Sequence, residues 1–172
     1  HFAIGESYFF YMGGLEDRKN IDFLIQSFMQ LDHSGKLLVV GGGANSSVEM
    51  FKKKYSQLVS KGELHFLGYI QDEWLPSLYY FARCFVYPSL YEGFGLQAVE
   101  AMKMGSPVIA SDRTSFPEVI NNKEALFDPE NRVSLQEKMN QLLQDELFYK
   151  ELKHQSIKKA KDYSWKKMAE QT

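Results

Sequence analysis

At 172 residues the chain has the length of one domain with a sizeable core, and its 44% apolar and 15% aromatic content excludes disorder. A formal charge of −2 with no basic arm argues against a nucleic-acid partner, and no apolar run reaches the length of a membrane span. The single cysteine, Cys84, excludes an intrachain disulfide; it opens an apolar stretch, so burial accounts for it, and it fits a reducing compartment.

Tyr8 to Met12 predict a strand, followed by a glycine turn and a helix from about Asn20. In that helix Ile21, Leu24, Ile25 and Phe28 recur at helical spacing, and Asn20 is placed as its cap. Lys36 to Val40 predict a second strand ending in Gly41-Gly42-Gly43. Ser46 or Ser47 is the expected cap of a helix carrying Val48, Phe51, Tyr55 and Leu58 on one side, with Lys52-Lys53-Lys54 as a solvated face. Leu64 to Leu67 form a short third strand, and Asp72 is expected to cap a helix with Leu75, Leu78, Tyr79 and Ala82. Cys84 to Tyr87 read as a buried strand, a helix opens at Gly95 and ends by Gly105, and Pro107 to Ala110 form the next strand. A helical turn at Phe116 to Ile120 leads to an edge strand at Ala125 to Phe127, and the chain from about Val133 onward is helical. Strands that are apolar throughout and alternate with helices make a parallel sheet covered on both faces, a Rossmann-like doubly wound α/β domain.

Such sheets bind ligands beyond the carboxyl ends of their strands, so each strand-to-helix turn is a candidate site. The first, Gly13 to Asn20, ends in Arg18-Lys19, either a clamp for a diphosphate or a surface turn with solvated charges. The second, Gly41-Gly42-Gly43, lacks the spacing of a dinucleotide fingerprint, and no acidic residue ends the next strand, which disfavours a nicotinamide cofactor. The third, Gly68-Tyr69-Ile70-Gln71-Asp72, either presents main-chain groups to a planar base or merely turns the chain. The fourth is the most informative: Glu92 and Glu100 bracket the Gly93-Phe94-Gly95 turn that opens a helix at Leu96. Free N–H groups at such a helix start suit a diphosphate, and the carboxylates suit sugar hydroxyls or a positively charged sugar ring. Alone, each glutamate reads as an ordinary charge; with the glycines between them, they point to a nucleotide sugar. There is no Asp-x-Asp pair, His33 and His65 are isolated, and no metal site is expected.

Several segments carry a resemblance in a fixed order. They are Tyr11 to Asn20, Val40 to Gly43, Phe66 to Tyr69, Tyr87-Pro88-Ser89-Leu90-Tyr91-Glu92-Gly93-Phe94-Gly95-Leu96, Glu100 to Met102, Gly105 to Ser111, Pro117 to Val119 and Ala125 to Pro129. Over nearly its whole length the chain resembles the C-terminal, donor-binding domain of retaining GT-B glycosyltransferases of the group 1, family 4 type. That group includes bacterial mannosyl-, glucosyl- and galactosyltransferases of cell-surface polysaccharide assembly. The resemblance implies that residues 1–172 are one half of a GT-B architecture, the nucleotide-sugar-binding half, without the acceptor-binding N-terminal domain. Both ends are accordingly expected to continue into a longer protein, with Ser164 to Glu170 similar to the segment that leads back to the other half.

The resemblance also implies roles. Lys19 contacts the donor diphosphate and Glu92 lies beside the donor sugar, together the expected catalytic pair; Glu100 holds the ribose hydroxyls. Phe94, Gly95 and Leu96 offer backbone amides to sugar and phosphate oxygens, Tyr69 and Ile70 meet the base, and Gly41 belongs to the same edge. Gly14 stands where many members have an arginine, and Arg18 is the candidate to replace it. That ending of the turn tilts the expected donor toward a GDP-sugar such as GDP-mannose. The implied reaction is hexosyl transfer with retention, drawn as front-face attack while the nucleotide diphosphate leaves, with Lys19 and the helix start at Gly95 stabilising the leaving group and no cofactor required. The implied acceptor is a saccharide or lipid-linked saccharide, and the implied place is the cytoplasm, at the inner face of the membrane, with peripheral association of the full-length protein. This chain alone is expected to bind nucleotide weakly and not to catalyse transfer. The alternatives are a non-catalytic nucleotide-sugar-binding module, which would not need both Lys19 and Glu92, and a sugar-nucleotide epimerase, which would convert its substrate without an acceptor. A phosphorylase would need a lysine for pyridoxal phosphate and a longer chain.

Overall fold

The computed structural model describes residues 8–31 and 37–163. Six strands, β1 (Tyr8–Met12), β2 (Leu37–Gly41), β3 (Leu64–Gly68), β4 (Cys84–Tyr87), β5 (Val108–Ser111) and β6 (Leu126–Phe127), form one sheet in the order β3-β2-β1-β4-β5-β6. Every neighbouring pair is parallel. Parallel strands need crossovers, and helices on both faces then bury consecutive side chains. Accordingly Phe9, Phe10 and Tyr11, then Cys84 to Tyr87, then Val108 to Ala110 are all fully buried. The expected doubly wound α/β domain is present, and the bland reading of Cys84 holds: its thiol is free and buried.

The helices are α1 (Ile21–Phe28), α2 (Asn45–Lys54), α3 (Ser56–Ser60), α4 (Leu75–Phe81), α5 (Leu96–Lys103), α6 (Phe116–Ile120), α7 (Arg132–Gln144) and α8 (Glu146–Ala160). α1 packs on α7, while α5 packs on α4 and α8. The long C-terminal helical stretch is broken at Asp145, whose side chain accepts from the N–H groups of Leu147 and Phe148 at 2.9 Å and so starts α8.

Three expected caps are corrected. Asn20 precedes α1 but adopts a left-handed conformation (φ +58°) after the 3-10 turn Asp17–Lys19; its side chain donates instead to the Pro129 carbonyl, 2.9 Å away. Ser46 and Ser47 lie inside α2, which follows Ala44 without a side-chain cap. Asp72 sits one turn ahead of α4, its carbonyl accepting from Leu75 N–H at 3.3 Å. Pro76 in the first turn of α4 removes one of the N–H groups that a capping side chain would take. The helix expected from Val48 to Leu58 breaks at Tyr55 into α2 and α3, although all four of its apolar residues are buried as expected. Lys53 and Lys54 of the lysine run are exposed as expected, and Lys54 pairs with Asp22 at the surface. The edge strand is shortened to Leu126–Phe127 because a 3-10 turn takes Lys123–Ala125, with the Asn122 side chain accepting from Glu124 N–H at 3.0 Å. Lys36, His33 and Ser164 to Glu170 lie outside the described residues.

The turns after β1, β2 and β3 are fastened to one another at the carboxyl edge. Gly13 N–H donates to the Gly41 carbonyl at 3.1 Å, and Gly42 N–H to the Gly68 carbonyl at 2.7 Å. Gly42 has φ +85°, and a Cβ there would lie 2.4 Å from the Gly13 carbonyl oxygen. We therefore expect Gly42→Ala to lower the unfolding free energy by about 1–3 kcal/mol, read as a shift of the urea midpoint.

Candidate functional site

The strand order places a topological switch between β1 and β4: the chain winds outward from β1 through β2 to β3, then returns to β4 and winds the other way. Crevices for ligands open at such points, because the loops following the two strands diverge. Here those loops are Gly13 to Asn20 and Pro88 to Gly95, and Leu90 N–H donates to the Arg18 carbonyl at 2.8 Å to join them. The sequence placed Lys19 and Glu92 in separate motifs. The structure brings them together, with Lys19 Nζ donating to Glu92 Oε1 at 2.5 Å.

This pair is largely withdrawn from water, with side-chain exposures of 7% for Lys19 and 11% for Glu92. The 3-10 turn Asp17–Lys19 and the left-handed Asn20 aim the lysine inward over β4. There its ammonium donates to the Tyr87 hydroxyl at 3.5 Å, and Tyr87 in turn donates to Gln97 Oε1 at 2.8 Å. Burial, and then the neighbouring Glu92 carboxylate, push the Tyr87 hydroxyl well above its usual range, so it remains a protonated donor. Arg18, half exposed, reaches the same Glu92 oxygen at 3.6 Å and donates to the Tyr91 carbonyl at 3.4 Å. The ion pair removes the objection that a lone Glu92 would repel an arriving phosphate, since Lys19 compensates its charge and keeps further N–H donors.

Gly95, at φ +85°, forms the start of α5, and the helix has no side-chain cap. A Cβ on Gly95 would meet the Phe116 ring at 2.7 Å, so the helix start sits directly against α6. The uncapped N–H groups and the helix dipole give this end the polarity that suits an anion. Glu100 is exposed on α5 and is held by the buried Tyr79 of α4, whose hydroxyl donates to Glu100 Oε2 at 3.1 Å. Burial, then the Glu100 charge, raise the Tyr79 hydroxyl far above its ordinary value.

The other expected positions are distributed over the same edge. Tyr69 is 83% exposed after β3, whereas Ile70 is buried, its side chain filling the space that a Cβ on Gly41 would need. Leu96 is exposed, and Phe94 is half-buried with its ring edge-on to Tyr163. The space beside Gly14 is taken by the Glu16 carboxylate. Tyr79, Tyr87, Gln97 and Thr114 were not singled out from the sequence. Tyr87 and Gln97 lie within the glutamate motif and carried a signal by proximity; Tyr79 read only as a core residue, and Thr114 carried none. Among the described residues no group of three or more His, Cys, Asp and Glu side chains could hold a metal ion, and no helix is long and apolar enough to cross a membrane. A cavity of about 360 Å³ lies elsewhere, between the end of α5, α6 and α8, lined by Met102, Ile120, Leu152 and His154 among others.

The family described as glycosyl transferases group 1 matches residues 2–163. The chain belongs to this family. A relative in it, O-antigen chain mannosyltransferase B of Escherichia coli, is 35% identical over 170 residues, covering 97% of this chain and 45% of the relative. The serotype-specific mannosyltransferase WbdA of Escherichia coli is 31% identical over 95% of this chain and 21% of its own length. The chain thus spans less than half the length of these relatives. Sucrose-phosphate synthase from Thermosynechococcus elongatus superposes with a TM-score of 0.84 at 27% identity, over 96% of this chain and 43% of that protein. Anabaena HepE in complex with UDP-glucose gives 0.80 at 21% identity, over 90% and 44%. The architecture is the Rossmann-like half of the GT-B fold.

Removing the lysine leaves Glu92 with only the half-exposed Arg18, 3.6 Å away, as counter-charge at the β1/β4 switch. Lys19→Met is expected to lower the unfolding free energy by about 2–3 kcal/mol in urea titrations. Adding Glu92→Gln should recover part of that loss, giving a coupling of about 1–2 kcal/mol, whereas strictly additive effects would mean the two side chains do not interact.

Proposed function

We propose that the chain is the donor-binding, C-terminal half of a retaining glycosyltransferase that moves a hexose from a nucleotide diphosphate sugar to a saccharide or lipid-linked saccharide. The observation that carries this reading is the Lys19–Glu92 pair at the β1/β4 switch, set beside the uncapped start of α5 and within one helix of Glu100. A diphosphate seated at Gly95 meets N–H groups and the Lys19 ammonium, so negative charge that grows on the leaving nucleotide is stabilised where it develops. Glu92, close by, supplies compensating negative charge toward the sugar ring as it becomes cationic. Glu100 accepts from the ribose hydroxyls, and the exposed turn at Tyr69 lies where the base is read. The donor is a substrate, and the resident chemistry needs only these side chains and amides.

Both Escherichia coli relatives are named mannosyltransferases, which supports mannose as the sugar moved; GDP-mannose is the donor proposed. The site is an open edge, and a second domain facing it would exclude water and present the acceptor. The full-length protein then acts in the cytoplasm, at the inner face of the membrane where a lipid-linked acceptor would lie.

Calorimetric titration of this chain with GDP, UDP and ADP tests the reading. One nucleotide should bind saturably, with GDP expected, and Lys19→Ala and Glu100→Ala should each weaken it about tenfold or more. No binding at millimolar concentration by either this chain or the full-length protein would overturn it. Product analysis with the full-length protein separates transfer from epimerisation, since an epimerase converts its sugar nucleotide without an acceptor.

Tyr79→Phe offers a finer test, because Tyr79 acts on ligand only through Glu100. The preference for GDP over 2′-deoxy-GDP should be about tenfold in the parent and shrink about threefold in Tyr79→Phe. An unchanged preference would separate Tyr79 from ribose recognition.

A further inference from the structure

The loop that carries Glu92 has no regular structure of its own, and Gly93 beside it has open space around it, so its position must be fixed from outside. Beside the Leu90–Arg18 bond and the Arg18 contact with the Tyr91 carbonyl, the fixing comes from the end of β5 and the segment joining it to α6. Ser111 Oγ donates to the Ser89 carbonyl at 2.6 Å, Glu92 N–H donates to Thr114 Oγ1 at 3.2 Å, and Ser115 Oγ donates to the Glu92 carbonyl at 3.5 Å. Both main-chain groups of Glu92 are thus held by two consecutive hydroxyl side chains, and the next residue, Phe116, packs against Gly95.

Thr114 makes this contact at a conformational cost. Its φ is +51°, the left-handed region, which a β-branched residue seldom occupies. The side chain is exposed, so packing of an apolar group does not hold it there. Asparagine or glycine would make the same turn with less strain, and the hydroxyl facing Glu92 is what threonine adds. We propose that Thr114 is a positioning residue for the reaction: its strained turn aims Oγ1 at the Glu92 amide and sets where the Glu92 carboxylate stands relative to the donor sugar. This rests on the role given to Glu92 under the proposed function.

The test uses the full-length enzyme with GDP-mannose and UDP-glucose as donor probes, reading release of the nucleotide diphosphate, together with GDP and UDP affinity. Thr114→Gly and Thr114→Ala lose the acceptor and should lower kcat roughly ten- to a hundredfold. Their nucleotide affinity should fall much less than kcat, because Thr114 reaches the phosphate-holding Lys19 only through Glu92 and does not touch Glu100. Thr114→Ser keeps the hydroxyl, and Thr114→Asn carries an acceptor in a residue at ease in this conformation; both should retain kcat within about threefold. Parent-like kcat in Thr114→Gly and Thr114→Ala overturns the proposal, as does an equal loss in all four variants or a parallel loss of nucleotide affinity. Glu92→Gln is measured alongside. If it is impaired while Thr114→Gly is not, only the positioning role fails; if Glu92→Gln turns over like the parent, the reading of the site fails and the positioning role with it.

Discussion

A lysine and a glutamate held almost out of water cost desolvation energy that their attraction only partly offsets, so such a pair is seldom retained for stability alone. In this chain the pair spans the place where the sheet reverses its winding, and much of the local architecture follows from keeping it there. The 3-10 turn and the left-handed Asn20 deliver the lysine, and Tyr87 and Gln97 receive it beneath. The main-chain bond from Leu90 to Arg18 locks together the two loops that carry the partners. Removing either partner of the pair leaves a charge in a place with too little water to solvate it.

The aromatic core continues this arrangement inward. Phe10, Tyr79, Phe85, Tyr87 and Phe116 form a chain of ring contacts, with centroids 4.9–5.9 Å apart, that runs from β1 through β4 to α6. Two of its members end in hydroxyls toward the carboxyl edge of the sheet, one bonded to Gln97 and one to Glu100. The same residues therefore fill the interior and orient polar side chains at its surface, which explains why tyrosine rather than phenylalanine stands at those positions.

Much of this was legible in the sequence. Buried strands announced themselves through unbroken apolar runs such as Cys84 to Tyr87, and the glutamate motif named Glu92, Gly95 and Glu100 because glycine spacing and charge are local properties. What escaped was non-local. Nothing in the turn ending at Lys19 says that its ammonium meets Glu92 across 73 positions of chain, and nothing near Thr114 says that its hydroxyl faces the Glu92 amide. The Asn20 cap failed for a related reason: the residue has the right chemistry for a helix start, but a carbonyl at Pro129, brought in by the fold, took its side chain instead. A local rule reads a donor or acceptor correctly and still misses which of several partners folding will supply.

The exposure pattern along the ligand edge divides it into two kinds of position. Lys19 is 6% exposed, while Tyr69 and Leu96 are 83% and 47% exposed. Change at the first kind is paid for in folding; change at the second is nearly free. On the proposed reading, a lineage built on this scaffold can drift in the ligand it prefers while the Lys19–Glu92 pair stays put, with its variation concentrated at the rim. Under the same reading, laboratory evolution of donor preference would randomise Tyr69 and Leu96 and leave the paired charges alone.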